Sequence, residues 1–310
     1  TKNDPIDQQL MGFKAVYNSD RPEAHDILKS WRTIAETYET PRLLIGETNV
    51  ESLPALMQFY GSGRDELHGG FNFVFLNAPL DAAVMRPIVE EVEASLPNGS
   101  WPIWTGSNHD VSRLATRWAG GDMAKARCAL LLLLTLRGTP FLYQGDEIGL
   151  TDGPIEQADL HDAVGIRFWP YYKGRDAERT PMPWSDAPHG GFTDPDATPW
   201  LPMADPAECN VAQQVADPDS TLAFTRRVIA RRSANEDLAV GSYRSLTAPE
   251  GGWVFARGHH TVVVLNMSDG PLDFNIKSGL ITVATDRSTE GTSSGDTMSL
   301  SPWSGAVIES

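Results

Sequence analysis

The sequence predicts an α/β fold in which a parallel sheet is flanked by crossover helices and followed by a small antiparallel β domain. Three observations predict it. Short apolar segments at 43–48, 71–76, 101–105 and 139–143 read as buried strands, and helical patterns separate them. Strands alternating with helices imply parallel pairing, because the crossover helices cover the sheet faces. Beyond residue 239 the pattern changes to short β-rich runs with tight turns. Four strand–helix units make either half of an eight-stranded barrel or a complete small open sheet.

Residues 1–17 show no clean period and read as an irregular rim segment. A helix is predicted from Arg21, with Asp20 as its cap, Pro22 in the first turn and Glu23 placed for a reciprocal capping contact. Ile27, Leu28, Trp31, Ile34, Ala35 and Tyr38 put an apolar stripe on one face, and Pro41 stops any continuation. After strand 43–48, the strand at 71–76 follows Gly69-Gly70. The stretch 80–95 reads as a helix with Leu80, Val84, Ile88 and Val92 four apart and a kink or restart at Pro87. Pro102 weakens strand 101–105, helix 123–136 closes at Gly138, and strand 139–143 leads into Gln144-Gly145-Asp146-Glu147. Residues 150–216 are irregular and dense in Pro, Asp, Gly and Trp; an excursion that long usually shapes a site. Helix 218–234 follows, with Leu222, Val228 and Ile229 inward. In the tail, 253–256 and 261–265 flank Gly258-His259-His260 as a hairpin, and 280–284 and 304–308 add strands. The expected domains are 1–238 and 239–310.

The chain has 310 residues, 41% hydrophobic and 21% charged, as an ordered soluble protein has. Its net charge of -16, from 41 acidic and 25 basic residues, repels phosphate backbones and anionic membranes, so no nucleic-acid or membrane partner is expected. The longest apolar run, 129–134, is too short to cross a bilayer, and no secretory leader is visible; a cytoplasmic location is expected. Cys128 lies in an apolar helix and reads as a buried thiol, with a bridge to Cys209 as the alternative.

The chemistry centres on two carboxylates. Glu47 ends Leu43-Leu44-Ile45-Gly46-Glu47-Thr48, and Asp110 ends Gly106-Ser107-Asn108-His109-Asp110. Each follows a predicted strand, which is how a barrel lifts acids from its core to a rim where a sugar can sit. Cleaving a glycosidic bond needs a proton on the departing oxygen and a carboxylate facing the anomeric carbon. Glu47 suits the acid, with Gly46 allowing close packing beneath it; a rim salt bridge is the alternative. Asp110 and His109 can bind vicinal hydroxyls, and Arg113 can steer that carboxylate or bind a hydroxyl itself. Asn108-His109-Asp110 also fits a capped turn. The trio lacks the spacing of a zinc or calcium site, and neither a phosphate-binding loop nor a nucleophile elbow occurs. Trp101, Trp104, Trp118, Trp169, Trp184 and Trp200 fall near the predicted rim, as sugar-stacking faces or as packing residues.

In order along the chain, Leu44-Ile45-Gly46-Glu47, Gly106-Ser107-Asn108-His109-Asp110 and the stretch 137–149 (RGTPFLYQGDEIG) are joined by Gly174-Arg175-Asp176, Arg179-Thr180-Pro181-Met182-Pro183-Trp184, Gly191-Phe192 and Pro199-Trp200-Leu201-Pro202. This ordered set resembles the α-amylase superfamily of retaining glycoside hydrolases, specifically bacterial α-glucosidases and oligo-1,6-glucosidases. The resemblance implies a catalytic (β/α)8 barrel with a C-terminal β-sandwich, in which this chain supplies strands five to eight. It implies Glu47 as general acid/base, Asp110 as transition-state stabiliser, and His109, Arg113 and Asn108 as substrate-binding residues. The family's nucleophilic aspartate, in a stretch like GFRxD, has no counterpart here, nor do strands one to four. The resemblance therefore implies a complementary N-terminal polypeptide segment that brings the nucleophile. No cofactor is expected, and calcium only through that segment. The expected substrate is a small α-glucoside, and a homo-oligomer is compatible. The expected activity is hydrolysis of terminal α-linked glucose; the rivals are a transglucosylase or sucrose isomerase of the same family, and a non-catalytic binding or scaffold relative.

Overall fold

The computed structural model describes residues 21–40, 42–50 and 52–310. The expected cap Asp20, the stop Pro41 and the segment 1–17 lie outside them. Helix α1 (Pro22–Glu36) opens with proline in its first turn, as predicted. It leads to β1 (Ile45–Gly46), α2 (Leu53–Gln58), β2 (Gly69–Gly70), α3 (Phe73–Asn77), α4 (Ala82–Ser95), β3 (Ile103–Thr105), α5 (Leu114–Arg117), α6 (Met123–Thr135) and β4 (Thr139–Phe141). Strand β1 pairs in parallel with β2, Phe71 forms a parallel bridge to Ile103, and β3 pairs in parallel with β4. The result is half of a (β/α)8 barrel.

Two local expectations are corrected. The run 71–76 is not a strand: the strand sits one step earlier, at Gly69–Gly70, and Asn72 starts helix α3 by accepting the Phe75 N–H at 2.9 Å. An apolar run of that length fits either period, and the cap decides it. Helix α4 continues through Pro87, capped by Asp81, and buries Met85, Val89 and Val92 while Val84 is exposed. A row strictly four apart drifts about 40° per step round a helix, so it cannot all face the core.

Helix α6 is buried on every side from Cys128 to Thr135, as a helix apolar all round must be. Its last carbonyls are satisfied by cations: Arg232 donates to Leu134 O at 2.7 Å and Leu136 O at 2.9 Å, and Arg257 donates to Thr135 O. Cys128 and Cys209 are both free, so the bridge is not formed, and burial pushes the Cys128 thiol up to about 12.

The irregular region holds α7 (Ala163–Phe168) and α8 (Val211–Ala216). Helix α9 (Thr221–Ala234) shares the main core with α6 through Phe224 and Val228, while Leu222 packs with Ile148, Leu150 and Met182. Ile229 is exposed, one residue and so about a quarter-turn beyond Val228. After α10 (Glu236–Val240) come β5 (Tyr243–Leu246), β6 (Gly252–Arg257), β7 (Thr261–Asn266), β8 (Leu272–Asn275), β9 (Leu280–Ala284), β10 (Thr297–Leu300) and β11 (Ser304–Glu309). Five of them form an antiparallel sheet in the order β5-β6-β7-β11-β9, and β8 pairs with β10. The predicted hairpin is β6–β7, with His259 and His260 exposed at its turn. Trp253, Phe255, Val263 and Leu265 face the main core, while Val254, Val264 and Ile308 face a second one with Phe274 and Met298. Burial on both faces explains why β6 and β7 read as continuous apolar runs.

Among the described residues, one amphipathic face has no cover. Trp31 is 54% exposed, Ile34 57% and Leu43 69%, and Ile27 and Tyr38 are exposed beside them, although the sequence places all five on an apolar stripe or strand. Among the described residues, β1 and β4 each pair on one side only.

Candidate active site

Glu47 and Asp110 stand beyond the carboxyl ends of β1 and β3, with β2 between them. Two strand spacings set their strands about 10 Å apart. Gly46 ends β1, and a Cβ there would come 2.4 Å from Leu67 Cδ1, so the close packing expected beneath Glu47 is present. Glu47 is exposed at an open groove of about 600 Å³ lined by Ile27, Leu28, Trp31, Leu43 and Phe59. That groove is not lined by Asp110.

Asp110 is held from the irregular region. Its Oδ1 accepts Arg175 Nη1 at 3.0 Å and Arg179 Nη2 at 2.6 Å, and Arg179 Nε donates to His109 O at 2.7 Å. His109 Nε2 lies 3.6 Å from the same Asp110 oxygen, and its ring is more than half exposed. Asn108 turns its side-chain oxygen onto its own loop, accepting the N–H groups of Asp110 at 2.8 Å and Val111 at 3.0 Å. The three residues therefore do form a capped turn, and that turn presents Asp110 and His109 outward.

Arg113 does not reach Asp110. It is fully buried, donates from Nη1 to Gln144 O at 2.5 Å and lies over the Tyr143 ring; burial lowers its pKa. Its backbone N–H donates to Asp152 Oδ1 at 2.8 Å. It braces the loops that follow β3 and β4 from below, and the two guanidiniums on Asp110 come from Arg175 and Arg179. Trp104 and Trp118 are likewise core residues, whereas Trp184 and Trp200 are exposed.

Beneath the turn, Ser107 Oγ donates to both oxygens of Asp146, at 2.7 and 2.8 Å, and the Tyr143 N–H donates to Oδ2 at 3.0 Å. Complete burial pushes the Asp146 carboxyl up to about 6, against the opposing pull of these hydrogen bonds. A carboxyl raised in the folded state stabilises the fold below its unfolded pKa, and that contribution disappears as pH rises through about 6. The near-isosteric Asp146→Asn is therefore expected to gain stability relative to wild type between about pH 4 and 6, by on the order of 3 kcal/mol. Melting temperatures across that range check it; parallel curves for the two proteins would contradict it. Burial also pushes Glu178 up to about 7. Among the described residues, no three His, Cys, Asp or Glu side chains group to hold a metal ion, and no helix is long and apolar enough to cross a membrane.

Sequence reasoning missed the roles of Arg175, Arg179 and Asp146. The first two lie in a stretch marked by the family resemblance, but 65 and 69 residues beyond Asp110, with no periodicity to relate them.

A probable alpha-glucosidase of Rhizobium meliloti is 38% identical over 265 residues, covering 82% of this chain and 47% of that protein. The crystal structure of an alpha-glucosyl transfer enzyme, XgtA, superposes with a TM-score of 0.80 at 35% identity, covering 93% of this chain and 55% of that one. The trehalulose synthase MutB, at 24% identity and a TM-score of 0.84, shares the fold. The chain thus spans about half the length of the curated relatives it matches. The model of the alpha amylase catalytic domain matches residues 2–241, and this chain belongs to the alpha-amylase family.

Proposed function

We propose that this chain carries the C-terminal part of the barrel of a retaining enzyme that transfers an α-glucosyl unit, with a sugar hydroxyl as its favoured acceptor. The observation that carries the proposal is Asp110, a carboxylate presented beyond a strand end and held by two guanidiniums, with Glu47 beyond a strand end of the same sheet. In this reading Glu47 protonates the departing glycosidic oxygen. An aspartate from a complementary segment attacks the anomeric carbon, forming a covalent glycosyl-enzyme. Asp110 and His109 hold the sugar's hydroxyls, and the charge on Asp110 favours the positive charge developing at that carbon. Glu47 then takes the acceptor's proton as its oxygen attacks. The uncovered face around Trp31, Ile34 and Leu43 and the one-sided pairing of β1 and β4 support a complementary segment that completes the barrel.

The 35% likeness to an alpha-glucosyl transfer enzyme over 93% of the chain supports a sugar acceptor. The second reading, transfer to water, is favoured by the 38% likeness to a probable alpha-glucosidase. Product analysis of the completed enzyme on maltose, isomaltose and sucrose separates them. Glucosylated products are expected to appear ahead of free glucose at high substrate concentration. Free monosaccharides alone, at every substrate concentration, would establish hydrolysis instead.

A further inference from the structure

Asp162 belongs to none of the roles above, yet its side chain is 3% exposed and almost entirely engaged by one partner. Its Oδ2 accepts the backbone N–H of Arg175 at 3.0 Å and Arg175 Nε at 2.9 Å, and its Oδ1 accepts Arg175 Nη2 at 3.3 Å. Main chain and side chain of Arg175 are thus gripped together, and Nη1 is the group left to meet Asp110 at 3.0 Å. The approach depends on the turn before it: Gly174 has φ +78, and a Cβ there would come 2.9 Å from Gly165 Cα. Asp162 is itself fixed from behind, because the buried Asp176 accepts the N–H groups of His161 at 2.6 Å and Asp162 at 2.8 Å.

The charges make the same point. Arg175 and Arg179 both converge on one oxygen of Asp110, two cations on one anion. Without a second carboxylate on Arg175, the guanidiniums repel each other and compete for that oxygen. Planar, bidentate pairing with Asp162 neutralises one of them and fixes its plane. Consistent with a strong pair, Asp162 is held below the ordinary carboxylate range by Arg175, and Arg175 is raised by Asp162.

We propose that Asp162 is a positioning residue, which aims Arg175 so that the Asp110 carboxylate keeps its orientation towards the sugar. The inference rests on Asp110 serving the glucosyl site as proposed above. Its rival is a local role: Asp162 Oδ1 also accepts the Val164 N–H at 3.2 Å, capping α7.

The test uses the completed enzyme. Asp162→Asn keeps an oxygen for the cap and sets an N–H donor against Arg175. Misplacing a group at a reacting centre costs up to about 100-fold, so kcat is expected to fall ~30-fold while KM changes less than ~3-fold. In an Arg175→Ala background the same change should cost less than about twofold, because Asp162 acts through that side chain. Asp162→Ser, which can cap α7 without a carboxylate, should lose activity as the Asn variant does, and it carries the test if the Asn variant does not fold. Losses that add in the double variant, or a Ser variant with wild-type kcat, would overturn the role of Asp162 while leaving the glucosyl reading intact. A wild-type enzyme that moves no glucosyl unit would remove that reading, and the role of Asp162 with it.

Discussion

Glu47→Gln in the completed enzyme is expected to lower turnover of maltose-type substrates by roughly 10²–10⁴-fold, the usual contribution of a positioned acid or base. Gln keeps the size and hydrogen-bonding reach of Glu but cannot give up a proton. The first chemical step is expected to recover when the leaving group needs no proton, as with α-glucosyl fluoride, because only the acid function is missing there. The second step stays slow, since the acceptor still needs a base. Rates on the two substrate classes check both statements. Equal losses in the first step itself, measured as the initial burst of leaving group on both substrate classes, would mean that Glu47 acts before the bond breaks, in binding, and unchanged activity would favour a non-catalytic chain.

Asp110→Asn carries the second large effect, expected at about 10²–10³-fold in kcat, comparable to deleting one electrostatic contact to a charged transition state. The substitution is nearly isosteric, so what it removes is the negative charge that the proposed mechanism sets against the anomeric carbon. It also leaves Arg175 and Arg179 without the anion they share, so a drop in melting temperature should accompany the kinetic loss. The two effects are separable: Arg179→Lys, which keeps a cation near Asp110 but loses the second contact to His109 O, should reduce stability with a smaller loss of kcat. A variant Asp110→Asn that turns over at the wild-type rate would exclude Asp110 from the chemistry.

Much of this arrangement is legible in the sequence where local rules act alone. The β6–β7 hairpin, the all-apolar α6 and the parallel order of the strands follow from period, turn residues and crossover helices. The failures have equally local causes. At 71–76 an apolar run fits helix and strand alike, and Asn72 resolves it by capping. The α1 stripe is recognisable, but a period says only that a face is apolar, not whether its partner lies within the same 310 residues. In the site, Glu47 and Asp110 stand out because each ends a strand pattern. Arg113 misled because spacing by three suggests neighbours only within a helix. It is instead the N-cap of α5, with φ -54 and ψ 149, so its side chain leaves in another direction. Arg175 and Arg179 reach Asp110 across an irregular stretch that no periodicity describes.

In the proposed reaction Glu47 and Asp110 come from this chain, and the nucleophile comes from a complementary segment. Trapping the covalent intermediate tests it most directly. The completed enzyme carrying Glu47→Gln would be loaded with α-glucosyl fluoride, quenched, digested and mapped by mass spectrometry. The glucosyl adduct is expected on an aspartate of a peptide outside this sequence. An adduct on Asp110, or on any other residue of these 310, would contradict the account.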